Sequence, residues 1–125
     1  MAKKILIIDD DPDFTHLMSV FLSQQGFEVE DAGCGREGIK KTLTSRPDLV
    51  LLDYELGDMT GHDAAFWLRY MRRTRAIPVV ALSAAGADPV KAAGFRAIKS
   101  CKGVIIKTQP LDKILAEIKA ALGMR

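Results

Sequence analysis

The sequence predicts an α/β fold, in which helices cover both faces of a parallel five-stranded sheet. Four short apolar runs support this prediction, because each is uninterrupted and each ends on a polar residue: residues 5–8, 49–52, 79–82 and 104–106. Uninterrupted apolar runs of this length are typical of strands that are buried on both faces, as in a parallel sheet. Segments with helical periodicity separate the strands, and this alternation indicates a doubly wound sandwich of five strands and five helices.

The first half of the chain is predicted to hold three strands and two helices. The strands are predicted at residues 4–9, 27–32 and 49–53, and the second helix at residues 36–45. The first helix begins near Pro12, because proline suits a first helical turn, and it ends before Gly26. Its apolar side chains recur at helical spacing and form one face: Phe14, Leu17, Met18, Phe21 and Leu22.

The second half repeats this alternation. Residues 54–61 hold two glycines without periodicity and are predicted to form a loop. Helices are predicted at residues 62–74 and 88–99, and strands are predicted to end at Ser83 and Lys107. The last helix carries one apolar face, which consists of Leu111, Ile114, Leu115, Ile118 and Leu122.

The residues that close these strands have side chains suited to phosphate. They are Asp9 and Asp10 after the first strand, Asp53 after the third, Ser83 after the fourth and Lys107 after the fifth. Parallel strands place their carboxyl ends at one edge of the sheet, where open α/β sheets bind ligands. Clustered carboxylates repel one another unless a hard divalent cation binds them, and Mg²⁺ prefers oxygen ligands. The sequence therefore predicts a Mg²⁺ site beside a hydroxyl and an ammonium, which together can hold a phosphoryl group.

These residues resemble the motifs of the receiver domain of two-component response regulators, the CheY-like family. The motifs are residues 5–12 (ILIIDDDP), residues 53–61 (DYELGDMTG), Ser83-Ala84 and Lys107. Each motif is weak by itself, but the four in this order are highly specific and cover essentially the whole chain. The resemblance implies a flavodoxin-like (βα)5 fold with strand order 2-1-3-4-5. It also implies a stand-alone receiver domain over residues 1–125, without an output domain.

The resemblance assigns a role to each site residue. Asp53 is expected to accept a phosphoryl group from a histidine kinase or a histidine phosphotransfer protein. The expected Mg²⁺ ligands are Asp9, Asp10, Asp53 and the backbone carbonyl of Glu55. Lys107 and Ser83 are expected to contact the phosphoryl oxygens, because phosphoryl transfer depends mainly on positioning and charge neutralisation. The new charge is expected to draw the Ser83 loop inward and to switch a surface formed by the fourth helix, fifth strand and fifth helix, which a downstream protein binds.

Four further residues are candidate modulators: Tyr54, Glu55, Ala85 and Val104. Tyr54 is expected to frame the site entrance. Glu55 and Ala85 lie two positions past the phosphoacceptor and the hydroxyl residue, where side chains affect the water that hydrolyses the aspartyl phosphate. Val104 stands where the family often has an aromatic residue, so the aromatic part of the switch is absent.

The lysine is followed by an atypical turn. The family usually has a proline with a cis peptide bond directly after the lysine, whereas here Thr108 and Gln109 precede Pro110. A cis bond before a residue other than proline costs about 2.5–4 kcal/mol. The sequence therefore predicts a trans bond after Lys107 and a turn that is built differently.

Composition and charge favour one cytoplasmic domain without a nucleic-acid or membrane partner. The chain has 125 residues, enough for one domain with a real core, and a formal net charge of only +2. Arginines between residues 69 and 75 are interpreted as the solvated end of a helix. Cys34 and Cys101 lack metal-ligand spacing and favour reduced thiols. No apolar stretch approaches the ~20 residues of a membrane span, and the amino end leaves no room for a signal peptide.

The residues leave three alternatives open. An aspartyl-phosphate phosphatase uses the same groups and usually has a general acid at the position of Glu55, but it also needs a substrate cap. A flavodoxin-like FMN binder needs a phosphate loop after the first strand, where Asp9, Asp10 and Asp11 would repel phosphate. A degenerate receiver would bind partners without phosphate. The expected receiver is not an enzyme in the usual sense: with Mg²⁺ it phosphorylates itself from small donors, loses the phosphate slowly, and can dimerise when phosphorylated.

Overall fold

The central sheet contains five parallel strands in the order β2-β1-β3-β4-β5. The computed structural model describes residues 2–84, 93–94 and 100–124. Its strands are β1 (Lys4–Ile8), β2 (Glu28–Ala32), β3 (Leu49–Asp53), β4 (Val79–Ser83) and β5 (Cys101–Ile106). Its helices, within these ranges, are α1 (Pro12–Gln24), α2 (Gly35–Ser45), α3 (Gly61–Tyr70) and α4 (Leu111–Ala121). The predicted fold class and strand order are confirmed.

Side chains of the central strands alternate between two cores, one on each face of the sheet. Ile5 and Ile7 of β1 face a core formed with α1 and α4. Leu6 and Ile8 face a core formed with α2 and α3. Both faces are therefore covered, which explains why the apolar runs of the sequence are uninterrupted. The helical members of the first core include Phe14, Met18, Leu22, Ile114 and Ile118, and those of the second include Ile39, Ala64, Ala65 and Leu68.

The first helix has a narrower buried face than the sequence predicts. The Asp11 carboxylate caps α1 by accepting from the backbone N–H groups of Asp13 (3.1 Å) and Phe14 (3.3 Å). Buried side chains then recur every four residues, at Phe14, Met18 and Leu22, and Leu17 is 50% exposed. The prediction that Leu17 belongs to the apolar face is wrong, because the part of the predicted face that packs against the sheet does not include it.

The third helix is shorter than predicted and ends at Tyr70 rather than residue 74. Met71 has an extended backbone (ψ 133°), so the helical ladder stops there. The buried hydroxyl of Thr74 donates to the carbonyl of Leu68 at 2.6 Å, which satisfies a carbonyl that the helix end leaves open. Arginines 72, 73 and 75 therefore lie in the turn after α3, and the interpretation of residues 69–75 as a helix end holds only for Arg69.

The helix predicted at residues 88–99 lies outside the described residues, except for residues 93–94, which are helical. Gly94 lies close to α3, because a Cβ on it would be 3.5 Å from the ring of His62. Within the described part of the chain, no helix combines the length and apolar character needed to cross a membrane.

Replacing Gly38 with Ala should destabilise the protein, although alanine is the better helix former. A Cβ at Gly38 would lie 2.5–2.7 Å from three side-chain atoms of Ile8, which is fully buried. Overpacking of this kind costs about 3 kcal/mol at its upper end, which exceeds the ~1 kcal/mol gained in helix propensity. Urea unfolding should show a net loss of about 1–2 kcal/mol. Gly33→Ala is the matched control, because its Cβ would meet nothing within 4 Å; equal stability of the two variants would contradict the prediction.

Candidate functional site

Two neighbouring strands bring the acidic residues together. Asp53 is the last residue of β3, and Asp9 directly follows β1, whose residue Ile8 pairs with Leu52. The N–H of Asp9 donates to the carbonyl of Ala32 at 3.0 Å, which continues the sheet pairing for one more residue. As a result, carboxylate oxygens of Asp9, Asp10 and Asp53 lie within 4.8 Å of one another.

The three carboxylates differ in their surroundings. Asp9 is 2% exposed, Asp53 is half-buried and Asp10 is exposed. One oxygen of Asp9 accepts from the N–H of Asp11 at 3.0 Å, and Asp53 Oδ1 accepts from the N–H of Tyr54 at 2.8 Å. These bonds orient both carboxylates, and the Oδ2 atoms of Asp9 and Asp53 then face the same ammonium group.

That ammonium group belongs to Lys107. Its Nζ lies 2.6 Å from Asp9 Oδ2 and 3.4 Å from Asp53 Oδ2. Burial lowers the pKa of Lys107, but the two carboxylates outweigh this effect, and the pKa is raised overall. The Nζ also lies 5.0 Å from the centroid of the Phe14 ring, a favourable position for a cation. Lys107 is therefore a fixed positive charge, and Phe14 is a site contact that the sequence marked only as core.

The side chain of Gln109 builds the turn after the lysine. The N–H of Ile106 donates to Gln109 Oε1 and the N–H of Gln109 donates to the carbonyl of Ile106, both at 3.0 Å. The N–H of Lys107 donates to the carbonyl of Ser83 at 2.8 Å. The described residues contain no cis peptide bond, so the trans bond predicted after Lys107 is confirmed.

Ser83 lies at the same edge of the sheet, but its hydroxyl has a local partner. The residue is buried, and its Oγ donates to the carbonyl of Ala84 at 3.0 Å. Val104 of β5 is half-buried and pairs with Ala81 in the register of β4 and β5. Ala85, the fourth candidate modulator, lies outside the described residues.

The loop after Asp53 folds back on itself. The N–H of Gly61 donates to the carbonyl of Tyr54 at 2.6 Å, and the backbones of Glu55 and Thr60 form an isolated antiparallel β-bridge. Glu55 is exposed. Tyr54 is 9% exposed and belongs to the core beneath α2 and α3. Tyr54 thus contacts Asp53 through its backbone N–H, whereas its ring packs in the interior; its expected place at the site entrance stays a prediction.

Asp58 fixes this loop to helix α2, a role that the sequence reading missed. Its carboxylate oxygens accept from the N–H groups of Gly35 (2.8 Å) and Arg36 (2.9 Å). These two hydrogen bonds lower the pKa of Asp58. Cys34, the residue before α2, provides no side-chain cap, and this poor N-cap is the sequence signal that a partner from elsewhere was needed.

The charge balance of the site suits a divalent cation. Burial and the nearby Asp9 raise the pKa of Asp53 to about 6, against the lowering effect of Lys107. The negative charge of Asp53 is thus costly in the metal-free protein, and a cation bound among the three carboxylates would relieve that cost. The donor set of carboxylate oxygens fits Mg²⁺, which takes hard oxygen ligands.

Comparison with known proteins gives the family. The profile of the response regulator receiver domain matches residues 5–119, and the chain belongs to this family. It is 34% identical over 119 residues to the DNA-binding dual master transcriptional regulator RpaA of Synechocystis, which covers 95% of this chain and 48% of RpaA. The chain thus spans about half the length of this curated relative.

Solved structures agree with this assignment. A putative response regulator from Chloroflexus aurantiacus superposes with a TM-score of 0.90 at 25% identity, covering 98% of this chain and 99% of that one. The chemotaxis response regulator CheY4 of Vibrio cholerae gives a TM-score of 0.88 at 25% identity, with coverage of 97% and 99%. The chain is a receiver domain of two-component signal transduction. Receiver domains generally bind Mg²⁺ at an acidic pocket, and the three aspartates form such a cluster here.

Replacing Asp58 with Ala should lower stability near neutral pH. The pKa of Asp58 is lowered in the folded protein, so its contribution is present above the ordinary value of 3.8 and is lost as the pH falls through the folded-state pKa. Urea unfolding should therefore separate the variant from wild type at about pH 7 and much less at about pH 3. Asp58→Asn keeps one of the two acceptors and should fall between them. A gap that stays the same at both pH values would contradict the role of the carboxylate.

Replacing Asp53 with Asn should stabilise the metal-free protein near neutral pH. The pKa of Asp53 rises from 3.8 to about 6 on folding, so stability is lost as the pH rises between these values and the full cost is present above them. The difference corresponds to about 3 kcal/mol at most, and solvent screening of this partly exposed group reduces the expected gain to about 1 kcal/mol.

Thermal melts in a chelator at about pH 8 and about pH 3.5, above and below both pKa values, test this expectation. The advantage of Asp53→Asn should be clear at the higher pH and small at the lower one. The exposed Glu28→Gln serves as a control for the loss of one surface carboxylate, which changes stability little. A variant that melts below wild type at the higher pH would overturn the prediction.

Proposed function

We propose that this chain acts as a single receiver domain that accepts a phosphoryl group on Asp53 in the presence of Mg²⁺. The donor is a histidine kinase or a histidine phosphotransfer protein. The observation that supports this best is the meeting of three carboxylates with one lysine: Asp53 Oδ2 lies 3.4 Å from Lys107 Nζ, in a cluster with Asp9 and Asp10.

Asp53 is suited to act as the nucleophile through Oδ2. Its Oδ1 is held by the N–H of Tyr54, which leaves Oδ2 directed toward the lysine. Oδ2 attacks the phosphorus atom, the bond from phosphorus to the donor breaks, and the donor takes the electron pair. The product is an aspartyl phosphate, which is a labile acyl phosphate.

The remaining groups hold and neutralise the transferred phosphoryl group. Asp9, Asp10, Asp53 and the carbonyl of Glu55 would hold Mg²⁺. When bound, Mg²⁺ supplies positive charge to the phosphoryl oxygens. The Lys107 ammonium would move its contact from the carboxylates to a phosphoryl oxygen, and the Ser83 hydroxyl would leave the carbonyl of Ala84 to donate to another.

The Ser83 movement would reach a protein-binding surface. The carbonyl of Ser83 accepts from the N–H of Lys107 at 2.8 Å, so a shift at one strand end is passed to the next. We propose that a downstream protein binds the surface formed by the predicted fourth helix, β5 and α4. Val104 supplies no aromatic ring to this switch, so the response would depend on the backbone near Ser83.

The same proposal covers the behaviour of the phosphorylated protein. Glu55 and Ala85 would affect the lifetime of the phosphate, and the domain would lose it slowly by itself. A cytoplasmic location and dimerisation on phosphorylation belong to this proposal. RpaA is by its name a DNA-binding regulator, and the match covers 48% of it; for the matched receiver region we propose a protein target.

Intact-mass measurement with acetyl phosphate tests the proposed function. Wild type should gain the mass of one phosphoryl group when Mg²⁺ is present and none when Mg²⁺ is chelated. Asp53→Asn should gain none. Asp10→Asn should need a higher Mg²⁺ concentration for the same gain, because one carboxylate ligand is lost. Asp31→Asn is the matched control, since Asp31 is an exposed aspartate beside the same cluster, and it should behave as wild type.

Other outcomes would support different functions. Absence of phosphorylation in a protein that still binds Mg²⁺ would indicate a degenerate receiver. Continuous turnover of phosphomonoesters would indicate a phosphatase. A mass gain that survives Asp53→Asn would overturn the assignment of the phosphoacceptor.

A further inference from the structure

Helix α3 carries three exposed aromatic side chains that form a ridge. Phe66, Trp67 and Tyr70 are 54%, 49% and 67% exposed. Their ring centroids lie 6.0–6.1 Å apart, with Phe66 and Tyr70 stacked and Trp67 edge-on to both. This aromatic ridge is one continuous apolar surface, and a contiguous exposed apolar patch commonly marks a binding site.

Arginines flank the aromatic ridge. Arg69 lies on α3, and Arg72, Arg73 and Arg75 are exposed in the turn that follows; we call these four the arginine cluster. A shallow groove continues from the ridge into this turn, lined by Leu43, Tyr70, Met71, Arg72, Arg73 and Arg75. The apolar and cationic groups therefore form a single surface that shares Tyr70.

The charges on this surface have no internal partners among the described residues. None of the ion pairs of that part of the chain involves the arginine cluster. Residues 61–76 contain four arginines and one acid, Asp63, while the net charge of the whole chain is only +2. The cations are thus concentrated beside the ridge and free to pair with carboxylates from another molecule.

We propose that the aromatic ridge and the arginine cluster bind an acidic protein segment that carries apolar side chains. Tryptophan, tyrosine and arginine are the residue types that contribute most to protein–protein binding. The arginine guanidinium pairs with carboxylates in a two-pronged geometry, and the ridge can cover the apolar side chains of the same segment. The acidic character of the segment follows from charge complementarity to the four arginines, and its apolar side chains follow from the aromatic ridge beside them.

A nucleic acid fits this surface less well. Single-stranded nucleic acids stack their bases on aromatic ring faces, and here Phe66 and Tyr70 each use one ring face to stack on the other, at an interplanar angle of 19°, which leaves fewer faces for bases. The sequence pI of about 8.6 also lies below the range typical of nucleic-acid-binding domains. The observations favour a protein segment, and the binding experiment below therefore includes an RNA probe for comparison.

This proposal is independent of the phosphoacceptor. The aromatic ridge is on α3, which packs against one face of the sheet, whereas α4 of the proposed output surface packs against the other. If Asp53 is not phosphorylated, the peptide-binding experiment can still be interpreted. If the peptide does not bind, the phosphorylation experiment can still be interpreted.

Fluorescence anisotropy with labelled probes tests the proposal on the full chain. The probes are a synthetic peptide of Glu, Asp, Leu and Trp, a neutral version with Gln and Asn, a version with Ser in place of Leu and Trp, and a single-stranded RNA. The acidic amphipathic peptide should bind, and both altered peptides should bind more weakly. The double variants Trp67→Ala/Tyr70→Ala and Arg72→Glu/Arg73→Glu should each weaken binding about tenfold or more.

Matched variants on the opposite face of the sheet serve as controls. Leu17→Ala removes another exposed apolar side chain, and Lys113→Glu reverses another exposed charge. Both should bind the acidic peptide as wild type does. Thermal melts of every variant verify folding, and the arginine variant together with the neutral peptide keeps the test valid if the aromatic variant fails to fold.

Four outcomes would overturn the proposal. They are absence of acidic-peptide binding, equal binding by wild type and both double variants, tighter binding of RNA than of the acidic peptide, and dimerisation through α3 without peptide binding. The last outcome would be seen by sedimentation velocity of wild type and of Trp67→Ala/Tyr70→Ala.

Discussion

The ion pair between Lys107 and Asp9 is the interaction on which the rest of the site depends. Burial and the neighbouring Asp9 raise the pKa of Asp53, so its negative charge is costly at this sheet edge. The Lys107 ammonium, 2.6 Å from Asp9 and 3.4 Å from Asp53, offsets part of this cost in the metal-free protein. A bound cation and a phosphoryl group would draw the Lys107 ammonium from these carboxylates to a phosphoryl oxygen. The ion pair between Lys107 and Asp9 is thus the contact that the proposed phosphoryl transfer would alter.

The local structure around Lys107 holds its side chain in place without the proline that receivers usually have there. Gln109 and Ile106 form two hydrogen bonds, one in each direction, and the turn that these bonds close starts directly after β5. The ring of Phe14, from a helix on one face of the sheet, limits where the ammonium can move. A turn closed by a glutamine side chain thus follows β5, and the lysine ammonium lies against the carboxylates.

The sequence predicted the sheet and the meeting of the acids because both follow from local pattern. Apolar runs show which segments are strands, and a parallel sheet necessarily gathers the residues after them. The end of α3 at Tyr70 was not predictable in this way, because it depends on a hydroxyl of Thr74 that reaches back to Leu68. Asp58 was missed for a related reason: its hydrogen-bond donors belong to α2, 22 and 23 residues earlier in the chain. Both features depend on tertiary contacts that no periodicity records.

The attachment of the loop after Asp53 to α2 makes the surroundings on the two sides of Asp53 unequal. The loop is held at Tyr54 by Gly61 and at Asp58 by the first turn of α2, where Met59 also packs closely against Gly35. On the other side of Asp53, the Ser83 backbone is held in β4, but its hydroxyl bonds only to the carbonyl of its own neighbour, Ala84. The Ser83 hydroxyl can change its partner without breaking a contact to another element, whereas the loop on the α2 side cannot move without losing such contacts. Under the proposed function, phosphorylation of Asp53 would therefore be accommodated on the side of β4 and β5.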